Sequence, residues 1–337
     1  MNILLTSVGR RSYLVNFFKD AAGPKGRVIS ANSEQLTSGM VAADKAYKVP
    51  QVNSSDYVSE ILNICLKENV SLVVPLFDID LKYLSEARSQ FVEAGIELAV
   101  SDPWVIEVAN DKWKTFLWLK DQGIASPATY LDIDTVIESH KRGELKFPLI
   151  IKPRWGMGSI SVYRADSVEE LNFFYTYAKR QIEKSYLKIL SHDEIDQAVV
   201  IQEFISGNEY GLDIFNDLKG FYLATISKLK IAMRSGETDM AKIIEDSRLE
   251  HLGEKLGSDL RHRGNMDVDV LEDSSGKLYV LEMNARFGGG YPFSHLAGAN
   301  FPLALVDMVS GRSPRGINYM QNGIVGLKNI DVIKAVP

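Results

Sequence analysis

Residues 265–290 read NMDVDVLEDSSGKLYVLEMNARFGGG, and this stretch has the most informative pattern of the chain. Two runs in which apolar and polar residues alternate flank a turn-rich patch, which predicts a β-hairpin. We place its two-residue turn at Ser275-Gly276. Alternate residues on a strand point to the same side. The apolar side of the hairpin, which we assign to the core, consists of Val268, Val270, Leu281 and Met283.

The polar side of the predicted hairpin concentrates negative charge. With this turn, Asp269 lies opposite Glu282 and Asp267 lies opposite Asn284. Like charges that face each other across a ladder are destabilising, whereas hard cations such as Mg²⁺ prefer oxygen ligands of this kind. The pattern therefore indicates a cation site. The alternative is the solvated face of an edge hairpin, since strands commonly alternate in this way.

The residues after the hairpin favour the cation site. Arg286 and the glycine run at 288–290 directly follow the strand that carries Glu282 and Asn284. A guanidinium group and a backbone that a ligand can approach closely would thus lie beside the carboxylates.

The composition is that of an ordinary globular protein. Of the 337 residues, 45% are apolar and 24% are charged, and the net charge is −6. We expect no nucleic-acid-binding surface, which would require a basic stripe. The five His and the single Cys65 provide neither a disulfide framework nor zinc-ligand spacing. With no signal-peptide pattern and no apolar run near the ~20 residues of a membrane span, we expect a cytoplasmic protein.

The N-terminal part alternates short apolar runs with helical patterns, which predicts a parallel, doubly wound sheet. Its predicted strands span residues 2–7, 27–31, 72–76 and 96–100. Ligands of such sheets bind beyond the carboxyl ends of the strands, which is where Arg10, Arg11 and Asp78 occur. These residues either contact a substrate or form a salt bridge between loops.

A lysine occupies an unusual position at the start of the next predicted helix. Lys112 lies in the first turn of the helix 111–122, after a cap at Asn110 or Asp111. The positive end of a helix dipole disfavours a cation there. We therefore expect Lys112 to face an anion, with a solvated lysine as the alternative.

A second lysine precedes a loop that can bind phosphate. Lys152 ends the predicted strand 147–152, and another strand is predicted at 160–164. The loop between them contains Gly156, Gly158 and Ser159. Backbone N–H groups of such a loop can hold phosphate oxygens, although the GxxxxGK pattern of a P-loop is absent.

Two further segments carry candidate site residues. The run AVVIQEFI at 198–205 predicts a strand, and Glu209 lies in the polar residues that follow it. Residues 228–242, KLKIAMRSGETDMAK, have no clean period and are predicted to form a long functional loop. That loop carries Arg234, Gly236, Glu237 and Asp239.

The two lysines, the glycine loop, the EFI segment and the D–ExN–R hairpin resemble, in this order, the ATP-grasp superfamily. Carbamoyl-phosphate-synthase-like and amino-acid-ligase-like members are the nearest in pattern, and the resemblance covers nearly the whole chain. It implies an α/β fold that is α+β in its C-terminal part. A Rossmann-like parallel-sheet domain (1–105) would precede a linker helix with a flap subdomain (106–198) and an antiparallel C-terminal subdomain (199–337). ATP would lie between the last two.

The resemblance also implies roles for individual residues. The implied nucleotide-binding residues are Lys112, Lys152, Gly156, Gly158, Ser159, Glu203, Phe204, Ile205 and Glu209. The backbone at 203–205 would meet adenine, and Glu209 would bind ribose. The implied metal ligands are Asp269, Glu282 and Asn284. Arg286, Lys152 and Arg234 would act in catalysis, with Arg286 steadying phosphate or the reacting carboxylate.

The implied activity is that of an ADP-forming ligase. ATP, with two Mg²⁺ or Mn²⁺ ions, would activate a carboxylate as an acyl phosphate for attack by an amine. The first alternative is carbamoyl-phosphate-synthase-like or carboxylase chemistry on bicarbonate, and the second is a non-catalytic ATP-binding protein. The expected partners are a small-molecule carboxylate and a small-molecule amine, and a homodimer is compatible with the resemblance. No motif identifies the acid or the amine.

Overall fold

The chain forms a mixed α/β structure, described by a computed structural model for residues 1–156, 158, 160–317 and 321–335. Its strands are β1 (Asn2–Thr6), β2 (Arg27–Asn32), β3 (Lys45–Lys48), β4 (Val70–Pro75), β5 (Glu97–Leu98), β6 (Thr129–Tyr130), β7 (Leu149–Pro153), β8 (Tyr163–Ala165), β9 (Val199–Glu203), β10 (Gly207–Asn216), β11 (Tyr222–Arg234), β12 (Glu237–Ile244), β13 (Gly264–Asp273), β14 (Leu278–Asn284) and β15 (Val325–Leu327). Its helices are α1 (Ser12–Ala22), α2 (Ser38–Ala42), α3 (Tyr57–Glu68), α4 (Asp78–Glu86), α5 (Arg88–Glu93), α6 (Pro103–Asn110), α7 (Lys112–Asp121), α8 (Ile133–Lys141), α9 (Val168–Glu183), α10 (Leu187–Ser191), the 3₁₀ helix His192–Gln197, α11 (Ser247–Leu260), α12 (Tyr291–Leu296) and α13 (Phe301–Val309).

The N-terminal strands form the predicted parallel sheet, in the order β3-β2-β1-β4-β5. The central strand β1 is apolar on both faces. Ile3 and Leu5 share a core with α1, whereas Leu4 shares the opposite core with α3 and α4. Helices on both faces confirm the doubly wound arrangement. The carboxyl ends of β1 and β4 are paired, so the loops that carry Arg11 and Asp78 leave the same edge of the sheet.

The central sheet has the order β6-β9-β7-β8 and is antiparallel. Helix α9 covers one face, where Leu171 and Ile182 share a core with Leu149 and Ile151 of β7. The helix begins after Ser167, whose side chain accepts a hydrogen bond from a backbone N–H of the first turn. Strand β7 carries the predicted phosphate lysine, and its neighbour β9 ends at the predicted adenine segment.

The C-terminal sheet is antiparallel, with the order β14-β13-β10-β11-β12-β15. Helix α11 packs on one face, where Leu249 and Leu256 share a core with Leu212, Val268 and Met283. Because side chains alternate along each strand, the carboxylates of β13 and β14 point to the opposite face.

The predicted pairing of the carboxylates is confirmed, but the predicted turn is wrong by one residue. Asp273 pairs with Lys277 through a 3.1 Å N–H···O bond, so the loop has three residues instead of two. A β-bulge at Leu281 restores the predicted register, and Asp269 does lie opposite Glu282. The bulge also corrects the core assignment. Leu281 is only half-buried, and Val280 takes the core position at 1% exposure.

The predicted loop at 228–242 is wrong, because these residues belong to a second hairpin of β11 and β12. Arg234 pairs with Glu237 across the turn Ser235-Gly236, in which φ is +50° and +76°. Two positive φ values match the twist of a tight hairpin, and glycine adopts them without strain. Irregularities in the pairing between Lys230 and Met233 break the alternation, which explains the missing period.

Across the described ranges, no helix is long and apolar enough to cross a membrane.

Candidate functional site

Two adjoining cavities lie against the polar face of the C-terminal sheet. The large cavity, of about 400 Å³, has the size of a small-molecule site. It is lined by Lys112, Ile150, Lys152, Pro153, Trp155, Gly156, Gly158, Ile160, Val162, Leu187, Gln202, Glu203, Phe204, Ile205, Glu209, Met233, Gly236, Asp269, Leu271, Leu281 and Glu282. Its walls thus combine apolar side chains with two lysines.

The polar cavity, of about 130 Å³, adjoins the large one. It is lined by Arg11, Gly158, Lys228, Lys230, Met233, Gly236, Glu237, Thr238, Asp267, Asp269, Glu282, Asn284, Arg286, Gly289 and Gly290. Both cavities include Asp269 and Glu282 in their walls. A ligand in either cavity can therefore contact these carboxylates.

Lys112 lines the large cavity from the first turn of α7. The helix is capped by Asp111, whose side chain accepts hydrogen bonds from two backbone N–H groups. The Lys112 ammonium donates to the carbonyl oxygen of Gly156 at 2.8 Å and lies 3.6 Å from the Glu282 carboxylate. Lys112 is 7% exposed, so it faces a carboxylate instead of solvent.

Lys152 lines the same cavity from β7 and is buried. Burial lowers the pKa of Lys152 to about 8. The attraction of Glu282 acts against this shift, and the neighbouring charge of Lys112 reinforces it. In the described part of the chain, no carboxylate forms a salt bridge with Lys152. A buried ammonium of this kind suits an anionic ligand.

The predicted adenine segment follows β9. Glu203 ends the strand, and its backbone N–H donates to the carbonyl oxygen of Ala128 at 2.9 Å. The Glu203 carboxylate accepts from the N–H of the same alanine at 3.3 Å. Phe204 and Ile205 come next and line the large cavity. Glu209, on β10, lines it as well, so the structure brings these predicted residues to one wall.

The predicted metal carboxylates lie together, and a lysine that sequence reasoning missed connects them to Glu209. The Lys230 ammonium donates to Asp269 at 2.6 Å and to Glu209 at 2.7 Å. A signal was present in the sequence, because Lys228 and Lys230 alternate in KLKIAMR as on one face of a strand. The lack of a clean period over the whole segment 228–242 conceals that alternation.

The donor set of the hairpin fits a hard cation. Asp269, Glu282 and Asn284 offer carboxylate and amide oxygens, which Mg²⁺ prefers. Within the described residues, no group of three or more His, Cys, Asp or Glu side chains could hold a metal ion. A site here would therefore use two carboxylates and an amide, with phosphate and water oxygens as further ligands. The ammonium groups of Lys230 and Lys112 supply positive charge to the same carboxylates.

Asp267 lines the polar cavity beside this group, although the sequence assigned it no role. Burial raises the pKa of Asp267 to about 7, and the negative charges of Asp269 and Asp213 contribute. The glycine run packs against it. A Cβ atom added at Gly288 would lie 2.1 Å from the Asp267 carboxyl carbon. This close approach leaves no room for a side chain at position 288 and explains why the residue there is glycine.

A buried ion pair, also missed in the sequence, supports the floor of the polar cavity. The Lys228 ammonium lies 2.5 Å from the Asp213 carboxylate, and both side chains are 0% exposed. Ser294 donates to the same carboxylate at 2.5 Å, and the Asn265 amide donates to its other oxygen at 3.1 Å. Asp213 is thus held from three sides, which satisfies a charge that would otherwise be costly to bury.

Arg286 lies in the polar cavity, but a carboxylate of the N-terminal domain binds its guanidinium. Arg286 Nε donates to Asp78 Oδ1 at 2.8 Å, and Nη2 donates to Oδ2 at 3.3 Å. Asp267 lies 3.9 Å away. Burial lowers the pKa of Arg286, but the negative charges of Asp78 and Asp267 outweigh burial and raise the pKa. For Asp78, the loop-to-loop salt bridge is therefore the interpretation that the structure supports.

Three predicted residues lie apart from the cavities or outside the described chain. Arg234 is at the tip of the β11–β12 hairpin, with a side chain 68% exposed and 3.2 Å from Asp239. Neither residue lines either cavity, so the geometry does not support the catalytic role predicted for Arg234. Ser159 lies outside the described residues. Gly158, by contrast, lines both cavities.

Comparison with known proteins agrees with this geometry. A family model described as ATP-grasp domain matches residues 109–290, and one described as PylC-like, N-terminal domain, matches residues 3–99. A carbamoyl-phosphate synthase of Methanobrevibacter smithii is 21% identical over 322 residues, which cover 90% of this chain and 80% of the relative. The arginine-specific large chain of carbamoyl phosphate synthase from Bacillus subtilis is 19% identical over 301 residues, which cover 86% of this chain. That match spans only 27% of the relative's length.

Solved structures share the fold over nearly the whole chain. A biotin carboxylase from Campylobacter jejuni, in complex with β-γ-ATP, has a TM-score of 0.74 at 14% identity. The match covers 96% of this chain and 74% of the chain of that structure. An L-amino acid ligase from Bacillus licheniformis has a TM-score of 0.70 at 17% identity, and the match covers 95% of this chain and 76% of the ligase chain. The predicted fold is confirmed. With a domain model matched over more than half of its length, the chain belongs to the ATP-grasp family.

Proposed function

We propose that the protein is an ATP- and Mg²⁺-dependent ligase that activates a carboxylate as an acyl phosphate for attack by an amine. The observation that carries this proposal is that the two cavities share the carboxylates of Asp269 and Glu282 in their walls. The largely apolar cavity with two buried lysines lies on one side of these carboxylates, and the charged cavity adjoins it there. A nucleotide in the first cavity would direct its terminal phosphate to the second.

The large cavity supports the nucleotide part of the proposal. Val162, Leu271 and Leu281 provide apolar surface for a planar base, next to the backbone at 204–205. Glu209 lies on the same wall and can accept hydrogen bonds from two ribose hydroxyls. Lys112 and Lys152 would then face the phosphates, whose negative charge compensates for the burial of both ammonium groups.

The hairpin supports the metal part of the proposal. Asp269, Glu282 and Asn284 would hold the cation, which when bound neutralises charge on the phosphates and orients them. Lys230 and Lys112, which lie against these carboxylates, would supply further positive charge beside the phosphates. The protein residues mostly position charge, which is what phosphoryl transfer requires.

The proposed reaction has two steps that balance. A carboxylate oxygen of the acid attacks the γ-phosphorus, the bond to the β-phosphate oxygen breaks, and ADP leaves. The amine nitrogen then attacks the acyl carbon, the phosphate leaves with the bonding electrons, and the nitrogen loses a proton. The glycine run at 288–290 brings backbone close to the polar cavity, where N–H groups can stabilise the developing negative charge.

The relatives favour a second candidate, in which bicarbonate takes the place of the acid. Two of them are carbamoyl phosphate synthases by name, and one structural neighbour is a biotin carboxylase. Bicarbonate also offers an oxygen that can attack the γ-phosphorus. The second candidate function differs from the first in its product, which would be a carbamate or a carboxylated compound.

A phosphate-release screen tests both candidates. Purified protein is incubated with Mg·ATP and a matrix of carboxylic acids and amines, with bicarbonate as a separate arm, and ADP, phosphate and products are measured. We expect phosphate release that requires one acid and one amine together. Phosphate release with bicarbonate alone would favour the second candidate. ADP formation that requires neither an acid nor an amine would contradict the ligase proposal.

A carboxylate variant tests the metal site in the same assay. Glu282→Gln should abolish turnover and leave the melting temperature within a few degrees, because the side chain keeps its shape and loses only its charge. Glu272→Gln is the matched control, since Glu272 lies on β13 but binds Tyr210 and Arg248 away from both cavities. Full activity in Glu282→Gln would contradict the assignment.

A further inference from the structure

Arg11 extends from the N-terminal domain into the polar cavity. The residue lies in the loop between β1 and α1. Its backbone N–H donates to the carbonyl oxygen of Val8 at 2.9 Å, and its carbonyl accepts from the N–H of Leu14 at 3.0 Å. The backbone is thus held on both sides, and the side chain lines the cavity. A guanidinium on a fixed backbone loses less freedom when it binds a ligand.

Arg11 differs from the other cations of the polar cavity in its charge partners. The others have carboxylate partners: Lys228 with Asp213, Lys230 with Asp269, and Arg286 with Asp78. Over the described ranges, no carboxylate lies within 4.0 Å of the Arg11 guanidinium. The guanidinium donates a hydrogen bond to the carbonyl oxygen of Leu76, directly after β4, which is a neutral acceptor.

The surroundings of Arg11 disfavour an isolated positive charge. Burial lowers the pKa of Arg11, the neighbouring charge of Arg286 lowers it further, and the carboxylates of Asp78 and Glu237 offset these effects only in part. The Tyr13 hydroxyl lies beside the guanidinium as well. A guanidinium has five N–H donors in a planar fork, so donors remain after these contacts. An anion from a ligand would supply both the missing charge and the missing acceptors.

The position of Arg11 separates this anion from the reacting group. Arg11 lines the polar cavity but not the large cavity, and the same is true of Gly289 and Gly290. The carboxylates common to both cavities, Asp269 and Glu282, mark the place where the γ-phosphate would meet the substrate. A group bound at Arg11 therefore lies in the polar cavity against a wall that the large cavity, proposed to hold the nucleotide, does not share.

We propose that Arg11 determines substrate specificity by binding a carboxylate of the acid or of the amine that does not take part in the reaction. This inference rests on the proposed ligase function. It narrows the substrates to pairs in which one member carries an additional carboxylate, such as a dicarboxylic acid or an amino acid. The planar fork matches such a group with two parallel hydrogen bonds.

Paired substrates test the inference directly. For the acid, a dicarboxylic acid is compared with its monoamide. For the amine, an amino acid is compared with its carboxamide. In Arg11→Met, KM for the carboxylate-bearing member should rise roughly ten- to a hundredfold, from the loss of hydrogen bonds to a charged group. KM for ATP and for the amide version should stay as in the wild type. In Arg11→Lys, KM for the carboxylate-bearing member should lie between the values of the wild type and of Arg11→Met. The acid and amine arms show which substrate carries the group.

A neighbouring arginine provides the matched control. Arg10 has a side chain 90% exposed and lines neither cavity. Arg10→Met removes the same charge one residue away and should not discriminate between the acid and its amide. If Arg11→Met weakens both members of a pair equally, or lowers only the melting temperature, Arg11 is a structural link to Leu76 and the inference is overturned.

Equilibrium binding separates this inference from the proposed function. Glutarate and glutamate are titrated by calorimetry into wild type and Arg11→Met in the presence of Mg²⁺ and a non-hydrolysable ATP analogue. Binding to the wild type that the variant loses supports the anion site, even if no acid and amine pair releases phosphate. In that case only the ligase proposal fails. Equal binding, or none to either protein, contradicts the role of Arg11.

Discussion

Arg286 and Asp78 form a two-point ion pair, although 208 positions separate them in the chain. Arg286 leaves the β13–β14 hairpin, and Asp78 begins α4 at the carboxyl end of β4. Both side chains are at most 10% exposed. The pair therefore joins the N-terminal sheet to the hairpin at the wall of the polar cavity, and it sets the orientation of a guanidinium that we predicted to contact substrate.

Removing the charge of Asp78 should destabilise the protein. Asp78→Asn keeps the shape of the side chain but leaves Arg286 without its closest carboxylate. Breaking a buried pair from one side costs about 3–5 kcal/mol, so the free energy of unfolding should fall by roughly that amount in urea titrations. Activity should fall as well, because Arg286 loses its orientation.

Asp102→Asn is the control for this prediction. Asp102 pairs with Arg263 at 2.6 Å across a similar sequence separation, but its side chain is 51% exposed. Loss of an exposed pair costs about 1 kcal/mol or less. Equal stability losses in Asp78→Asn and Asp102→Asn would show that the buried pair has no special importance.

Glu209→Ala should raise KM for ATP roughly ten- to a hundredfold, because hydrogen bonds to a charged group are worth about 1.5–3 kcal/mol. The structure adds a second explanation for such a loss, since Glu209 also binds Lys230 at 2.7 Å. Inhibition by 2′,3′-dideoxy-ATP distinguishes the two. If Glu209 binds the ribose hydroxyls, wild type and variant should bind this analogue equally. A loss that persists with the analogue would assign Glu209 to positioning Lys230 instead.

Affinity for ATP should decrease above about pH 8, because the pKa of Lys152 is lowered to about 8 in the buried site. Below this pH the ammonium is charged, and above it the neutral amine must take up a proton to bind phosphate. Calorimetric titration of an ATP analogue at pH 8.5, in buffers of different ionisation enthalpy, should show this proton uptake. Lys152→Arg stays charged at this pH and should show none. Equal uptake in both proteins would exclude Lys152 as its source.

His262 should make the protein less stable as the pH falls from 6.5 to about 4. The side chain is fully buried, Nε2 lies 3.1 Å from the carbonyl oxygen of Ile214, and Nδ1 has no partner within the described structure. Burial lowers the pKa of His262 from 6.5 to about 4. In this range the unfolded chain binds a proton that the folded chain does not, so stability is retained above pH 6.5 and lost below it. The slope should approach 1.4 kcal/mol per pH unit, for a total of roughly 3 kcal/mol.

Urea titrations at several pH values check this prediction. His262→Gln should remove the dependence of stability on pH and keep a hydrogen-bond donor for Ile214. The control His251→Gln should retain the pH dependence, because His251 is exposed on α11. A slope that survives in His262→Gln would belong to carboxylates elsewhere in the protein.

The fold was largely predictable, because burial imposes a period on the sequence. Continuous apolar runs separated by helical patterns predicted the parallel sheet, and alternation predicted that Asp269 and Glu282 share one face. The prediction failed where the ladder is irregular. At 228–242, the shifts in pairing between Lys230 and Met233 conceal the strand and, with it, the lysine that bridges Glu209 and Asp269.

The hairpin at 265–290 shows that a correct pairing can follow from a wrong turn. The turn is one residue longer than predicted, and the bulge at Leu281 compensates for it. Neither feature has a strong signal in the sequence, since a bulge depends on how the edge strand packs against its surroundings. Packing also decides that Leu281 lines the large cavity and Val280 lies in the core.

Sequence patterns were sufficient for the strands and helices with a regular period, for the family resemblance and for the shared face of the hairpin carboxylates, because these depend on neighbours a few residues apart. Only the tertiary structure decided which charges meet. It pairs Arg286 with Asp78, Lys230 with both Glu209 and Asp269, and leaves Arg11 in the polar cavity with a neutral acceptor. Such contacts join residues from different sheets, and the local period that reveals a strand contains no information about which distant side chain will face it.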